Sequence, residues 1–317
     1  MSSTRIFFVT DVHGSDRCFR KFVNAGKFYN VNVLMLGGDL TGKMIVPVVS
    51  QPDGSRKCNY AGAEHFLRSK EEVDQAVKSI KDMGFYPYLA DPKDVEEISS
   101  KPELLDRLFK RLMKESVEGW MRLAEERLRG TGIGCYISPG NDDCFEIDEA
   151  LNSSSYVVNP EEKVLSIDGE HEMITLGYTN HTPWNSPREV DEDVLGGMIE
   201  KMAVQVKNMS SAVFNIHIPP IDTPIDKAPK LDESLRPVIS GGQMVMASAG
   251  SVAVRGVIER HQPLVGFHGH IHESRGVVKI GRTLCLNPGS EYNFGVLRGI
   301  LCELERDKVK SYVLTSG

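Results

Sequence analysis

The chain has 317 residues, enough to bury one large core, and it accommodates two small domains or one α/β domain with an insertion. Its 40% hydrophobic and 26% charged content is that of an ordinary soluble globular protein. A net charge of -7 argues against a surface built for nucleic-acid backbones, which needs clustered Lys and Arg.

Met1-Ser2-Ser3-Thr4 passes directly into Ile6-Phe7-Phe8-Val9, with no cationic stretch before a long apolar run, so no secretory signal is expected. Residues 5–10 are β-branched and aromatic and predict a buried strand. Residues 16–27 place Cys18, Phe19, Phe22, Val23 and Ala25 at helical spacing, and 31–36 predict a second strand ending at Gly37-Gly38-Asp39. This strand–helix–strand start predicts a βαβ unit and a parallel sheet.

Between 41 and 130 the pattern breaks. Runs at 44–49 and 57–60 flank Gln51-Pro52-Asp53-Gly54-Ser55, which predicts a hairpin with a Pro-Asp-Gly turn. Ser69 caps a predicted helix over 70–83, ended by Gly84, and Pro102 opens a longer one that stops at Gly130. Leu104, Leu105, Leu108, Leu112, Val117, Trp120, Met121, Ala124 and Leu128 give the longer helix one broad apolar face, expected to pack on the core. The whole segment reads as an insertion.

The alternation then resumes. Residues 134–138 predict a strand leading to Gly140-Asn141-Asp142, and 173–176 lead to Gly177-Tyr178-Thr179-Asn180-His181. Residues 212–216 lead to His217; Ser251 caps a helix through His261; 264–267 precede Gly269-His270-Ile271-His272; and 283–286 deliver Asn287-Pro288-Gly289-Ser290. The uncharged window 237–254 is too rich in Gly, Ser and Gln for a membrane span. Cys18, Cys58, Cys135, Cys144, Cys285 and Cys302 are widely separated, and reduced thiols in a cytoplasmic compartment are expected.

Polar residues beyond the carboxyl ends of α/β strands converge in one crevice. Asp11, His13, Asp39, Asn141, His217, His270 and His272 are therefore candidates for one cluster. Mixed imidazole and carboxylate ligation suits manganese, iron or zinc, whereas an all-oxygen set would suit magnesium or calcium. Taken singly the motifs are weak: Asp-x-His is more often a capped turn, and a lone His217 could be a core histidine. Gly269-His270-Ile271-His272 is the most specific, since alternation along a strand would put both imidazoles on one side.

In this order, the motifs resemble the calcineurin-like metallophosphoesterases from about residue 5 to about residue 290, with 41–130 outside the match. The resemblance implies a four-layer αββα sandwich with two central mixed sheets, as a single domain over 1–317 carrying a helical insertion at about 41–130. It implies a dinuclear centre: Asp11, His13, Asp39 and His272 on one metal, and Asp39, Asn141, His217 and His270 on the other, with Asp39 bridging. The implied cofactors are two divalent transition ions, manganese or iron, with zinc as the alternative. Two such cations about 3.5–4 Å apart make hydroxide available from a bridging water near neutral pH. The implied substrate is a phosphate-ester small molecule or a nucleotide, with no membrane or nucleic-acid partner; a homo-oligomer stays open.

One departure bears on the reaction. Many members of the family have a general-acid His directly after the Gly-Asn, and this chain has Asp142. A carboxylate there protonates a leaving alkoxide only if its pKa is raised. Asn141 and Asp142 are the catalytic candidates, and the missing His favours a phosphodiesterase over a phosphomonoesterase. The chain also lacks the Asp-Arg that follows the Gly-Asp in protein Ser/Thr phosphatases, which argues against that class. Lys43 could reach a substrate phosphate but is expected to be solvated, His268 to pack or hydrogen-bond behind the ligands, and His181 to be near the site. The hairpin at 44–60 is expected to border it. A non-catalytic interaction scaffold on the same fold is the rival reading, disfavoured by the intact set of candidate ligands.

Overall fold

The computed structural model describes residues 3–317. Its first sheet has five strands in the order Lys308–Ser316, Arg298–Glu305, Thr4–Val9, Val33–Gly37, Gly134–Ser138. Thr4–Val9, Val33–Gly37 and Gly134–Ser138 run parallel, while Arg298–Glu305 pairs antiparallel with Thr4–Val9. The second sheet has six strands: Gly276–Ile280, Thr283–Asn287, Val265–Phe267, Val213–Ile216, Glu172–Leu176 and Val164–Ser166. Its four inner strands are parallel, and both edges are antiparallel. Both sheets are thus mixed, and their central strands read as continuous apolar runs because both faces are covered.

Period-two alternation explains the packing. Ile6, Phe8, Val33 and Met35 of the first sheet share one core with Met173, Val213, Val265 and Phe267 of the second, and Phe8 stacks on Phe267 with centroids 4.9 Å apart. The intervening residues Phe7, Val9, Leu34 and Leu36 pack instead with Phe19 and Phe22 of helix Asp16–Phe28 and Met121 and Ala124 of helix Pro102–Leu128. Ile174, Leu176, Phe214 and Ile216 meet Leu195 and Ile199 of helix Glu192–Ala203, and Val254 and Val257 of helix Val252–His261. Ser69 and Ser251 cap their helices as read, each accepting a backbone N–H three residues on. Helix Glu192–Ala203 escaped the sequence reading because Gly196-Gly197 interrupts its apolar spacing.

The 41–130 segment differs from the expected helical insertion. The hairpin of Ile45–Ser50 and Arg56–Tyr60 is present, but it belongs to a four-stranded sheet with Ala63–Leu67 and Tyr86–Ala90. Tyr86–Ala90 pairs parallel with Ile45–Ser50, placing Pro87 opposite Val46. Pro87 within Tyr86–Ala90 suppresses the strand signal there, and only the pairing reveals that strand. Among the described residues no helix is long and apolar enough to cross a membrane.

The long helix packs on the core as its face predicts. Trp120 stacks on Phe19 with centroids 4.3 Å apart, and its indole N–H donates to Asp16 Oδ1 at 2.6 Å. Leu105, at the start of that face, is exposed. Trp120→Ala should therefore cost about 3–5 kcal/mol in urea unfolding, whereas Leu105→Ala should stay within about 0.5 kcal/mol.

Candidate metal centre

Each candidate ligand follows the carboxyl end of a parallel strand. Asp11 and His13 follow Thr4–Val9, Asp39 follows Val33–Gly37 and Asn141 follows Gly134–Ser138; His217 follows Val213–Ile216, and His270 and His272 follow Val265–Phe267. Two sheets thus deliver ligands to one place. Ligand atoms of Asp11, His13 and His272 lie within 4.8 Å of one another, as do those of Asp39, His217 and His270. Asp39 stands between the groups: its Oδ2 is 3.6 Å from His13 Nε2, and its Oδ1 is 3.4 Å from His217 Nε2. Asn141 joins the second group, with Oδ1 2.8 Å from His270 Nδ1.

The backbone beneath these residues is unusual. Asp11, His13, Asp39 and His270 have φ of 53°, 38°, 51° and 64°. Non-glycine residues in this left-handed region cost about 1–3 kcal/mol each when the surroundings force it, and such strain clusters at functional sites. Cross-loop hydrogen bonds hold it: Asp11 N to Gly38 O at 3.0 Å, His13 N to Asp39 O at 3.0 Å and Gly14 N to Leu40 O at 2.7 Å. The buried Asp143 carboxylate ties two loops together, accepting from Leu40 N at 3.0 Å, Thr41 N at 2.9 Å and Gly140 N at 2.8 Å. Two motif glycines are dictated by close approach. A Cβ on Gly38 would lie 2.3 Å from His217 Nδ1, and one on Gly140 would lie 2.2 Å from Asp39 Oδ1.

One expectation is corrected. Gly269-His270-Ile271-His272 is not a strand, because Val265–Phe267 has ended and His270 turns left-handed. The two imidazoles do not share a face by alternation; a loop sends His270 to the group of Asp39 and His272 to that of Asp11. That loop is held by Asn287, whose amide donates to Gly269 O at 3.3 Å and Ile271 O at 3.1 Å, while Ser290 Oγ donates to Asp11 O at 2.6 Å. The weakest of the motifs is thus a brace. His268 is buried and its Nδ1–H donates to Ile216 O at 2.8 Å, beneath His217. His181 is exposed and pairs with Asp191 at 3.0 Å.

Three contributors had no place in the sequence reading. Asp143 follows Gly140-Asn141-Asp142 directly but carried no signal of its own. Arg188, 2% exposed, donates through Nε to Asp143 O at 2.9 Å and pairs with Asp148 at 2.5 Å. The Tyr292 ring lies 4.7 Å from that of His13. Neither Arg188 nor Tyr292 sits in a recognisable motif.

The donor set fits divalent cations. His217 donates its Nδ1–H to Gly37 O at 2.8 Å, which turns Nε2 toward the carboxylates, and that buried Nε2 has no hydrogen-bond partner. His13 Nε2 and His272 Nε2 are 3.1 Å apart, so at most one can carry a proton between them. Burial pushes Asp39 up to about 7, reinforced by the charge of Asp142. Burial also pushes His13 and His270 down to about 3, helped by His272 beside the first and His217 beside the second. For Asp11 burial acts upward, but His217, His272 and His13 outweigh it and hold the carboxyl well below the usual range. His13 and His270 are thus neutral, whereas against burial the Asp39 and Asp11 carboxylates raise His217 to about 10 and Asp11 raises His272, so cations bound here would take the place of the protons on those two imidazoles.

Asp142 behaves differently. Burial acts to raise its pKa, but the Lys43 ammonium at 2.5 Å brings it down to about 2, and Ser186 Oγ donates to it at 2.8 Å. The raised pKa that proton donation requires is not what this environment produces. Lys43 is correspondingly an ion-pair partner rather than a freely solvated side chain. For the ligand loops, Gly38→Ala should displace His217 and weaken the uptake of one ion by about 10–100-fold in calorimetric titration.

No family model matches the chain. An uncharacterized protein of Methanocaldococcus jannaschii is 32% identical over 158 residues, which is 49% of this chain and 64% of that relative's length. Among solved structures, TT1561 of Thermus thermophilus aligns over 100% of this chain and 99% of its own, with TM-score 0.55 and 13% identity, a likeness of fold. Yfce, a phosphoesterase from E. coli, aligns over 98% of each chain at TM-score 0.34 and 10% identity, too distant to add to the argument. In its motifs, and in the site that those motifs build, the chain resembles the calcineurin-like metallophosphoesterase family.

Proposed function

We propose that this protein is a dinuclear metal-dependent phosphoesterase, on a single four-layer αββα domain interrupted by the 41–130 segment. The observation that carries the reading is Asp39: one carboxylate directs one oxygen toward the group of His13 and the other toward His217. Asp11, His13, Asp39 and His272 would hold one ion, and Asp39, Asn141, His217 and His270 the second. Imidazole-rich ligation favours manganese or iron, with zinc as the alternative. When bound, such ions activate water and neutralise phosphate charge.

The chain's own residues do the rest. Asn141 supplies an uncharged donor atom, which avoids repelling a phosphate where a further carboxylate would not. Its amide N–H donates to Asp142 Oδ1 at 3.2 Å, fixing which way its oxygen faces. The burial of Asp11, His13, Asp39 and His217 excludes bulk water, so the positive charge that they would hold would act on a bound phosphoryl group with little screening. With Asp142 held ionised, no carboxylic acid at that position assists a poor leaving group, which favours phosphodiesters and activated esters over alkyl monoesters. A small molecule or nucleotide is the substrate class in this reading. The six cysteines are all unpaired and buried, in keeping with a reducing, cytoplasmic setting.

The test is metal titration together with turnover of bis(p-nitrophenyl) phosphate. Wild-type protein should bind two manganese ions per chain and lose turnover on chelation, and Asp39→Ala should lose both ions and turnover. At most one ion by elemental analysis, with turnover indifferent to chelator, would overturn the reading.

A further inference from the structure

The candidate metal centre is closed on most sides. Asp11, His13, Asp39, Asn141 and His217 are 1%, 0%, 2%, 1% and 1% exposed. His270 is partly exposed, and on the side of His13 exposure rises at the His272 side chain to 28%, at Asp142 to 22% and at Lys43 to 56%. An anion entering from the side of His272 meets Lys43 and Asp142.

Asp142 touches the centre directly: ligand atoms of His13, Asp39 and Asp142 lie within 4.8 Å of one another. An unpaired carboxylate there would repel a phosphate. Its Oδ1 is engaged by Ser186 Oγ at 2.8 Å and Asn141 Nδ2 at 3.2 Å, and its Oδ2 is left to Lys43 Nζ at 2.5 Å. An ammonium has three N–H donors, so one ion pair leaves Lys43 two for a ligand.

The backbone that carries Lys43 is anchored on both preceding residues. Thr41 is tied through its N–H and hydroxyl to Asp143 at 2.9 and 2.6 Å. Gly42 N donates to Tyr86 Oη at 2.8 Å, and a Cβ on Gly42 would meet Gly84 O at 1.9 Å. Lys43 thus starts from a fixed point and ends on a fixed carboxylate, although it lies at the root of a long inserted segment.

We infer that Lys43 is a substrate-contacting residue, whose ammonium, held at the mouth by Asp142, binds a non-bridging oxygen of the phosphoryl group as it reaches Asp39 and its imidazoles. This rests on the phosphoesterase reading. Lys43 would cancel the repulsion of Asp142 and add charge-assisted hydrogen bonds of its own. Coulomb attraction scales with charge, so a dianion such as inorganic phosphate gains more from this contact than a monoanionic diester.

The experiment compares manganese-loaded wild type, Lys43→Met and Lys43→Arg. Calorimetric affinity for inorganic phosphate, manganese content, and kcat and KM on bis(p-nitrophenyl) phosphate are read for each. Lys43→Met should keep both manganese ions, weaken phosphate binding by roughly tenfold or more and weaken the diester less. Lys43→Arg, which retains the charge, should restore phosphate affinity to within about threefold of wild type. Unchanged phosphate affinity in Lys43→Met, with wild-type turnover intact, would overturn this inference alone. Loss of manganese from Lys43→Met would also overturn it, by making Lys43 a support of the metal site. A wild type that neither turns over diester nor binds two ions would overturn the phosphoesterase reading and this inference together.

Discussion

Two carboxylates, Asp11 and Asp39, are buried to 1% and 2% exposure in the company of four imidazoles, and the surrounding structure serves that burial. Ionised groups taken out of water are strongly penalised unless opposite charge or hydrogen bonds compensate. Here part of the compensation is built from protein. Asp11 accepts from Thr10 Oγ1 at 2.7 Å and from His270 N at 3.0 Å, and Asp39 accepts from Asp142 N at 3.1 Å. The remaining ligand atoms face one another, and His217 Nε2 faces them without a partner. Bound divalent cations would supply the charge that this arrangement lacks.

That burial requires a backbone which short local preferences oppose. Four ligands sit at positive φ, and none is glycine. The conformation persists because neighbouring loops over-determine it: the chain around Asp11–Gly14 is hydrogen-bonded to Gly38–Leu40, and Asp143 joins the Asp39 loop to the Asn141 loop. Beneath these loops lies the shared core of the two sheets, whose close packing gives the loops rigid strand ends to stand on. The strain at the site is thus offset by apolar burial remote from it.

The 41–130 segment connects to the site at one point and to the core at another. Its root brings Lys43 to Asp142, and its long helix buries Val117, Trp120, Met121 and Ala124 against helix Asp16–Phe28. The four-stranded sheet between them has a small core of its own, around Val46, Val48 and Ile80. One segment therefore both adds core to the main body and places a cation at the mouth of the centre. Asp142, which stands where the family that the chain resembles often has histidine, is in this protein the anchor for that cation.

Much of this was legible in the chain itself. Glycine and hydroxyl caps marked the helices, and buried strands announced themselves as β-branched and aromatic runs, because local backbone preference and residue-scale periodicity act over a few positions. The candidate cluster was legible for the same reason: Asp11, Asp39, Asn141, His217 and the His270–His272 pair each lie directly after such a run, and parallel strands carry their carboxyl ends to one side. The strand that contains Pro87, and the helix broken by Gly196-Gly197, were obscured because their stability comes from partners distant in sequence. Only the tertiary structure decided that His270 and His272 part company, that Asp143 and Arg188 brace the loops, and that Asp142 is committed to Lys43. Each of those outcomes depends on distances between residues far apart along the chain, which no local pattern encodes.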